Sequence, residues 1–326
     1  MHALRIGARR EVFQAPSRLS SPGGNQVRTS ARTFVLGGGG ARGALQVGAL
    51  RALLEAGFQP DLLVGTSVGA INATYLAMRG ATLASLGGLI QAWHDAVAAD
   101  LLPANYLWLT LRVMFNRVGW RPHHRMRDFF VAHGFSPDLR FGDIRGIRLI
   151  LVAADLNNGR AILYGVDPQQ SVLEGLLAST ALPPWVHPIE ADGHFLMDGG
   201  VVSTLPIEPA LVQGAREIIA LDLADPRQIP LAEAHGFGPF LGRLMNTIEQ
   251  RQRDMEMALA AARGVPVWHI ALQGEQPVAI WDFSHTSELI EQGCVITRRE
   301  MAHWSLRRQS KWRTWLARLG GRREVV

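Results

Sequence analysis

Short apolar runs alternate with longer segments of helical periodicity along this chain of 326 residues. Apolar runs of four to eight residues are typical of buried strands, whereas apolar residues spaced three and four apart indicate helices. The first such elements are a strand at 33–36, a helix at 44–56 and a strand at 62–64. A crossover of this kind makes its two strands parallel. The residues that follow both strands are therefore expected at the same edge of one sheet.

The same alternation continues through most of the chain. Further strands are expected at 148–155, 161–164, 195–197, 217–222 and 265–272. Further helices are expected at 68–79, 173–179, 206–213 and 240–263, and the pattern is helical again from residue 287 onwards. Strands and helices that alternate in this way predict an α/β fold, a three-layer sandwich with a mostly parallel central sheet.

Charge is concentrated at the two ends of the chain. The formal charge is +5 over residues 1–32, −7 over 33–297 and +7 over 298–326. The acidic body disfavours nucleic-acid binding, whereas an anionic surface would attract the ends. We expect a disordered basic leader at 1–32, a catalytic domain at 33–285 and a basic amphipathic helical tail at 286–326.

Aromatic and apolar residues of the tail recur at spacings that place them on one helix face. They are Met301, Trp304, Trp312, Trp315 and Leu319, and arginine and lysine are interspersed among them. A basic helix with tryptophan on its apolar face suits an anionic membrane interface. A helix docked on the domain, with its charges solvated, fits the pattern equally well.

No apolar run approaches the roughly 18 residues that a membrane-spanning helix needs. The single cysteine, Cys294, fits core packing in a reducing compartment. We expect a cytoplasmic protein, peripheral on the inner membrane surface. Residues 81–115, which mix aromatic residues with helix breakers, are either a lid or ordinary helical core. His123 and His124 are expected to be solvated in an Arg-rich loop, and no metal or cofactor is expected.

A Gly-x-Ser-x-Gly sequence, Gly65-Thr66-Ser67-Val68-Gly69, stands between a predicted strand and a predicted helix. This setting is typical of a nucleophile elbow, in which a sharp turn exposes the serine hydroxyl above the sheet. Gly65 and Gly69 leave room for the strand and the helix to cross closely. Ser67 is therefore a candidate nucleophile.

A glycine-rich loop, Gly37 to Gly43, follows the first strand. The backbone N–H groups of Gly38, Gly39 and Gly40 at a helix N-terminus could stabilise a developing oxyanion, and Arg42 could add its charge. The same spacing also matches a dinucleotide-binding fingerprint. That site needs an acid after the second strand, and no Asp or Glu occurs between Asp61 and Asp95. The nucleotide interpretation is therefore disfavoured.

A third motif, Asp198-Gly199-Gly200, follows the strand at 195–197. Together with Gly38-x-Gly40-x-x-Gly43 and the Ser67 motif, it resembles the patatin-like phospholipase family, bacterial type. The segment 178–188 is also similar to the stretch that precedes the aspartate in that family. The resemblance covers about residues 33–225.

The resemblance implies a phospholipid acyl hydrolase in which Ser67 is the nucleophile and Asp198 the base, with no histidine required. The glycine loop, including Arg42 and Gly43, and Val68 would bind the substrate oxyanion. Ser203-Thr204 departs from the family, which commonly has Asn a few residues after the aspartate, and Val186 stands in place of an aromatic residue. These departures leave the fit of the substrate around Asp198 open.

Two other interpretations remain. An α/β-hydrolase esterase would use a Ser-Asp-His triad, with His235, His269, His285 or His303 as the base. Against it, one strand alone precedes the strand that carries Ser67, and no His-Gly oxyanion motif is visible. The chain could also be a catalytically silent lipid-binding or regulatory module of the same fold. The oligomeric state and the role of residues 226–326 stay open.

Overall fold

The computed structural model describes Ser30 and residues 32–98, 123–182, 186–191, 193–223 and 237–320. Nearly all of the expected leader and the last six residues lie outside the described residues. So does most of the second half of the segment 81–115.

The described chain alternates strands with helices, numbered here in chain order. The strands are β1 Thr33–Leu36, β2 Leu62–Thr66, β3 Arg148–Asp155, β4 Arg160–Tyr164, β5 Ile189–Ala191, β6 His194–Asp198, β7 Ile218–Asp222 and β8 Val267–Ala271. The helices are α1 Gly43–Glu55, α2 Val68–Arg79, α3 Leu83–Ala98, α4 His123–Ala132, α5 Val172–Ser179, α6 Ile207–Val212, α7 Phe237–Ala262 and α8 Thr286–Gly320.

Eight strands form one sheet in the order β5-β6-β3-β2-β1-β7-β8, with β4 also paired to β3. The pairs among β3, β2, β1, β7 and β8 are parallel, whereas β4, β5 and β6 pair antiparallel. The predicted α/β fold with a mostly parallel central sheet is confirmed. The short strand β5 was not predicted, because three residues are too few to show an alternating pattern.

Side chains that alternate along the central strands pack into two cores, one on each face of the sheet. Leu36, Leu63 and Leu151 face the core that includes α1, α2, α3 and the first turns of α8. Val35, Val64 and Val152 face the core that includes α6 and the last turns of α7. The sheet is thus the middle layer of three, as the sequence predicts.

The first five turns of α8 pack closely against α1. A Cβ added at Gly48 would lie 1.8 Å from the carbonyl oxygen of Ile290, and one at Gly293 would lie 2.0 Å from that of Leu45. Cys294 is buried beside them, as expected. Trp304 packs against Trp268, with 4.9 Å between ring centroids. Residues 286–304 therefore belong to the packed body, and the docked alternative holds for Met301 and Trp304.

The structure also bears on two further expectations about helices. His123 and His124 begin helix α4, so the prediction of a loop there is wrong. The arginine residues beside them hide the helical periodicity of the residues that follow. Among the residues that the structure describes, no helix combines the length and the apolar character needed to cross a bilayer.

Candidate active site

Ser67 lies on a strained turn between β2 and α2. Its φ is 55° and its ψ −126°, and among the described residues other than glycine it is the one with a positive φ. Backbone strain of this kind costs on the order of 1–3 kcal/mol and collects at functional sites. Because the helix starts at the next residue, the turn presents the Ser67 side chain at the end of the strand.

The glycines on either side of Ser67 allow the close crossing that this turn requires. A Cβ at Gly65 would lie 2.5 Å from the carbonyl oxygen of Gly69. A Cβ at Gly69 would lie 2.2 Å from the carbonyl oxygen of Leu36 on β1. No side chain fits at such distances from backbone atoms, so the local sequence specifies this geometry.

Asp198 reaches Ser67 because β2 and β6 meet end to end along the same edge of β3. The register pairs Thr66 with Val152 and Asp198 with Ala153, while β4 occupies the opposite edge. Because an apolar strand precedes each of these residues, the sequence predicts that they meet at the carboxyl ends of parallel strands. That reason is wrong, since β6 runs antiparallel to β3. The two residues still meet, and Ser67 Oγ donates a hydrogen bond of 2.6 Å to Asp198 Oδ2.

Asp198 is buried, with 3% of its surface exposed. Burial raises its pKa from 3.8 to about 6, against the hydrogen bonds from Ser67 and the Gly200 N–H, which lower it. The negative charge of Glu249 raises it further. Oδ1 accepts the Gly200 N–H at 2.8 Å, which leaves Oδ2 directed at Ser67. Gly199 lies close to β3: a Cβ added at Gly199 would lie 2.2 Å from the Val152 carbonyl oxygen.

Ser179 supports the strained turn from the segment that resembles the family. Its Oγ donates to the Val152 carbonyl at 2.6 Å and accepts the Ser67 N–H at 3.1 Å. Nothing in the sequence singles out Ser179, since it is one serine in a segment 112 residues away from Ser67. The structure adds it to the residues that orient Ser67.

The glycine loop borders Ser67 but does not use its three glycines alike. The Gly38 N–H donates to the Thr204 carbonyl at 2.9 Å, so it is already engaged. No described residue accepts a hydrogen bond from the N–H of Gly39, Gly40 or Val68. Gly40 has a φ of 57°, and a Cβ there would lie 2.2 Å from the Ile280 carbonyl oxygen.

Arg42 fixes the orientation of a peptide bond in this loop. Its Nε donates to the Gly39 carbonyl at 3.2 Å, and its backbone N–H donates to the same oxygen at 3.3 Å. The carbonyl and the next N–H of a trans peptide point in opposite directions. The Gly40 N–H is therefore turned away from Arg42, and Gly40 lines the cavity that contains Ser67. Gly43 lets α1 approach Val68, whose Cγ2 would be 2.5 Å from a Cβ.

Ser67 and Asp198 line one largely apolar cavity, to which α2, α3 and α4 also contribute side chains. Its apolar wall is formed by Val68, Ile71, Tyr75, Leu89, Ala92, Trp93, Ala96, Met126, Phe129, Phe130, Phe135, Leu182, Ile280 and Phe283. Helix α3, the described part of the segment expected to be either a lid or helical core, contributes Leu89, Ala92, Trp93 and Ala96 to this wall. A hydroxyl and a carboxyl group thus line a largely apolar space suited to a hydrocarbon chain.

The histidines considered for a triad are engaged elsewhere or lie outside the described residues. His269 Nε2 lies 2.8 Å from Asp222, and His285 lies near Asp282 and Glu288. His303 stands on α8 among residues that pack on the body, and His235 falls outside the described residues. No histidine among the described residues forms a hydrogen bond with Ser67 or Asp198.

The sequence profile of the patatin-like phospholipase family matches residues 34–211, which is more than half of the chain. Those residues contain the strained Ser67 turn, the glycine loop and Asp198 described above. The chain belongs to the patatin-like phospholipase family.

Curated relatives include patatin-like phospholipase domain-containing protein 6 of Homo sapiens, 32% identical over 203 residues. That match spans 61% of this chain and 14% of the human protein, so it concerns one part of a much longer chain. An uncharacterised protein of Bacillus subtilis, YqhO, is 29% identical over 66% of this chain and 79% of its own length.

Solved structures of similar chains come from bacterial proteins. The ExoU–SpcU complex of Pseudomonas aeruginosa aligns over 85% of this chain and 52% of that one, at 16% identity and a TM-score of 0.40. VipD of Legionella pneumophila aligns over 84% and 67%, at 14% identity and a TM-score of 0.39.

Proposed function

We propose that this protein is a serine acyl hydrolase that cleaves acyl esters of phospholipids or related lipids through a dyad of Ser67 and Asp198. The observation that carries the proposal is the 2.6 Å hydrogen bond from Ser67 Oγ to buried Asp198 Oδ2, in the lining of a largely apolar cavity. Membership of the patatin-like phospholipase family supports the lipid class of the substrate.

In the first half of the reaction, Asp198 Oδ2 takes the proton of Ser67 Oγ as this oxygen attacks the ester carbonyl carbon. The tetrahedral intermediate collapses, and the departing alcohol takes the proton back from Asp198. The acyl group then remains as an ester on Ser67. In the second half, water attacks this ester and Asp198 accepts a proton from the water. Ser67 Oγ then takes this proton from Asp198 as the bond to the acyl group breaks and the fatty acid is released.

The oxyanion donors in this proposal are the N–H groups of Gly39, Gly40 and Val68. Val68 follows Ser67 in the chain and Gly40 lines the same cavity. None of the three N–H groups has an acceptor among the described residues, whereas the Gly38 N–H donates to the Thr204 carbonyl. Val68 also stands at the N-terminus of α2, where the helix dipole favours negative charge. One such donor is worth roughly 3 kcal/mol of transition-state stabilisation.

We expect kcat/KM for a short-chain ester to rise with pH to a plateau above about 6, the raised pKa of Asp198. Asp198 can accept the Ser67 proton only in its ionised form, so activity falls about tenfold for each pH unit below that value. The pH profile measured with a p-nitrophenyl ester tests the proposed function.

Histidine titrates in a similar range, so the control is single replacement of histidine by glutamine. The residues to replace are His187, His194, His235, His269, His285 and His303. Each variant should keep the wild-type profile within a small factor. A loss of several powers of ten in a folded histidine variant would establish a triad and remove Asp198 as the base.

We also propose that the end of α8 attaches the protein to an anionic membrane surface facing the cytoplasm. Residues 305–326 contain seven arginine and lysine residues and one glutamate. Trp304 is packed on the body, so the proposed contact begins after it. Each basic group near an anionic surface contributes about 1 kcal/mol.

Deletion of residues 305–326 should weaken sedimentation with phosphatidylserine vesicles and leave binding to neutral vesicles unchanged. Salt should weaken the binding of the full-length protein to anionic vesicles and have little effect on the binding of the shortened one, because salt screens the charges of the basic groups. Turnover of a soluble short-chain ester is the control and should be retained. Equal binding of both proteins to anionic vesicles would contradict the attachment.

A further inference from the structure

Residues after Asp198 connect all three motif loops. The Ser203 carbonyl accepts Thr66 Oγ1 at 3.0 Å, next to the nucleophile. The Thr204 carbonyl accepts the Gly38 N–H at 2.9 Å, in the glycine loop. Thr204 Oγ1 donates to the Gly200 carbonyl at 2.9 Å, in the aspartate motif. Two adjacent residues thus contact every loop of the candidate active site.

Two side chains of helix α7 form hydrogen bonds with these two residues and their neighbours. Ser203 Oγ donates to Glu256 Oε1 at 2.5 Å, and Glu256 Oε2 accepts the Glu208 N–H at 2.8 Å. One turn earlier on the same helix face, Gln252 Nε2 donates to the Val201 carbonyl at 2.7 Å, and its Oε1 lies 3.2 Å from Thr204 Oγ1. Ser203 and Glu256 are both buried.

We propose that Ser203, Thr204, Gln252 and Glu256, called here the Ser203 cluster, position the three motif loops relative to one another and make α7 part of the catalytic apparatus. The proposal rests on the proposed function. It assigns a role to a helix beyond residue 211, where the family profile ends, and to the Ser203-Thr204 pair that departs from the family pattern. No member of the cluster lines the substrate cavity, so these are positioning residues.

The chemistry of Glu256 suggests a test that separates positioning from simple burial. Loss of its carboxyl group leaves Ser203 Oγ and the Glu208 N–H without an acceptor in a buried place, and loops must move to satisfy them. A glutamine can replace it, because its oxygen accepts the Glu208 N–H while its NH₂ donates to the Ser203 hydroxyl. Burial raises the pKa of Glu256 to about 7, so near neutral pH much of it carries a proton, as the uncharged amide imitates.

Glu256→Ala and Ser203→Ala should each lower kcat for a soluble ester by about tenfold or more, with KM unchanged. Glu256→Gln should restore kcat to within about threefold of wild type. The double variant Ser203→Ala/Glu256→Ala should be no slower than the slower single variant, because the two residues act through one contact. Asp254→Ala removes an exposed carboxylate from the same helix and is the matched control.

Hydrogen exchange provides a readout that does not depend on activity. In Glu256→Ala, exchange should rise about tenfold in peptides that cover Gly38 as well as in residues 199–204, and Glu256→Gln and Asp254→Ala should match wild type. If wild type fails to turn over any ester, the proposed function fails and exchange at Gly38 still decides the cluster. Unchanged exchange at Gly38, or equal kcat in Glu256→Ala and Glu256→Gln, would overturn the proposal.

Discussion

Replacement of Ser67 by alanine is expected to lower ester turnover by about four to six powers of ten, because it removes the oxygen that carries the acyl group. The variant should also lose covalent labelling by a fluorophosphonate. The fold should be retained, because the φ of 55° at this turn is as unfavourable for serine as it is for alanine. The loss would therefore come from chemistry.

Ser136→Ala is the matched control for this variant, since it removes an exposed serine hydroxyl far along the chain. It should keep wild-type turnover and full labelling. Residual labelling of a folded Ser67→Ala protein at the wild-type rate would show that another residue is the nucleophile.

Replacement of Asp198 by asparagine should reduce kcat by about two to four powers of ten at every pH, because no base remains beside Ser67. Asparagine keeps the shape of the side chain: Oδ1 can still accept the Gly200 N–H, and Nδ2 can donate to Ser67 Oγ. A short-chain ester assay across the pH range measures the loss. A variant that keeps wild-type kcat would remove Asp198 from the mechanism.

The same variant should be more stable than wild type at pH 8. The pKa of Asp198 is about 6 in the folded protein, against 3.8 ordinarily. Below pH 3.8 the carboxyl group is protonated in both the folded and the unfolded state, so its burial does not lower the free energy of unfolding. Between the two pKa values the cost of burying the ionised group grows with pH, and above about 6 it reaches its full size. At 1.36 kcal/mol per pKa unit the difference is about 3 kcal/mol.

Urea unfolding of wild type and Asp198→Asn at pH 8 and at pH 4.5 measures this. The free energy of unfolding of the variant should exceed that of wild type by up to about 3 kcal/mol at pH 8, and the gap should narrow at pH 4.5. A variant less stable than wild type at both pH values would contradict burial of a charged Asp198.

The sequence predicts the fold and the three motifs well because their signals are local. The glycines at 65 and 69 and the apolar runs on either side specify a strand, a turn and a helix within a few residues. The order of strands and helices then restricts the fold to an α/β sheet. These signals require no knowledge of contacts between distant parts of the chain.

What the sequence does not predict depends on contacts between distant residues. The bond from Thr66 to Ser203 joins residues 137 positions apart, and the one from Ser203 to Glu256 joins residues 53 apart. Neither leaves a periodic pattern. The engagement of the Gly38 N–H by Thr204 has the same origin, as does the packing of Trp304 on Trp268, which its amphipathic pattern alone left undecided.

The most direct test of the account is capture of the acyl enzyme. Wild-type protein mixed with a p-nitrophenyl ester and quenched in acid should carry the mass of one acyl group, located by peptide mass spectrometry on Ser67. The Ser67→Ala protein should carry none. An acyl group on another residue, or rapid turnover by Ser67→Ala, would contradict the proposal that Ser67 and Asp198 form the catalytic dyad.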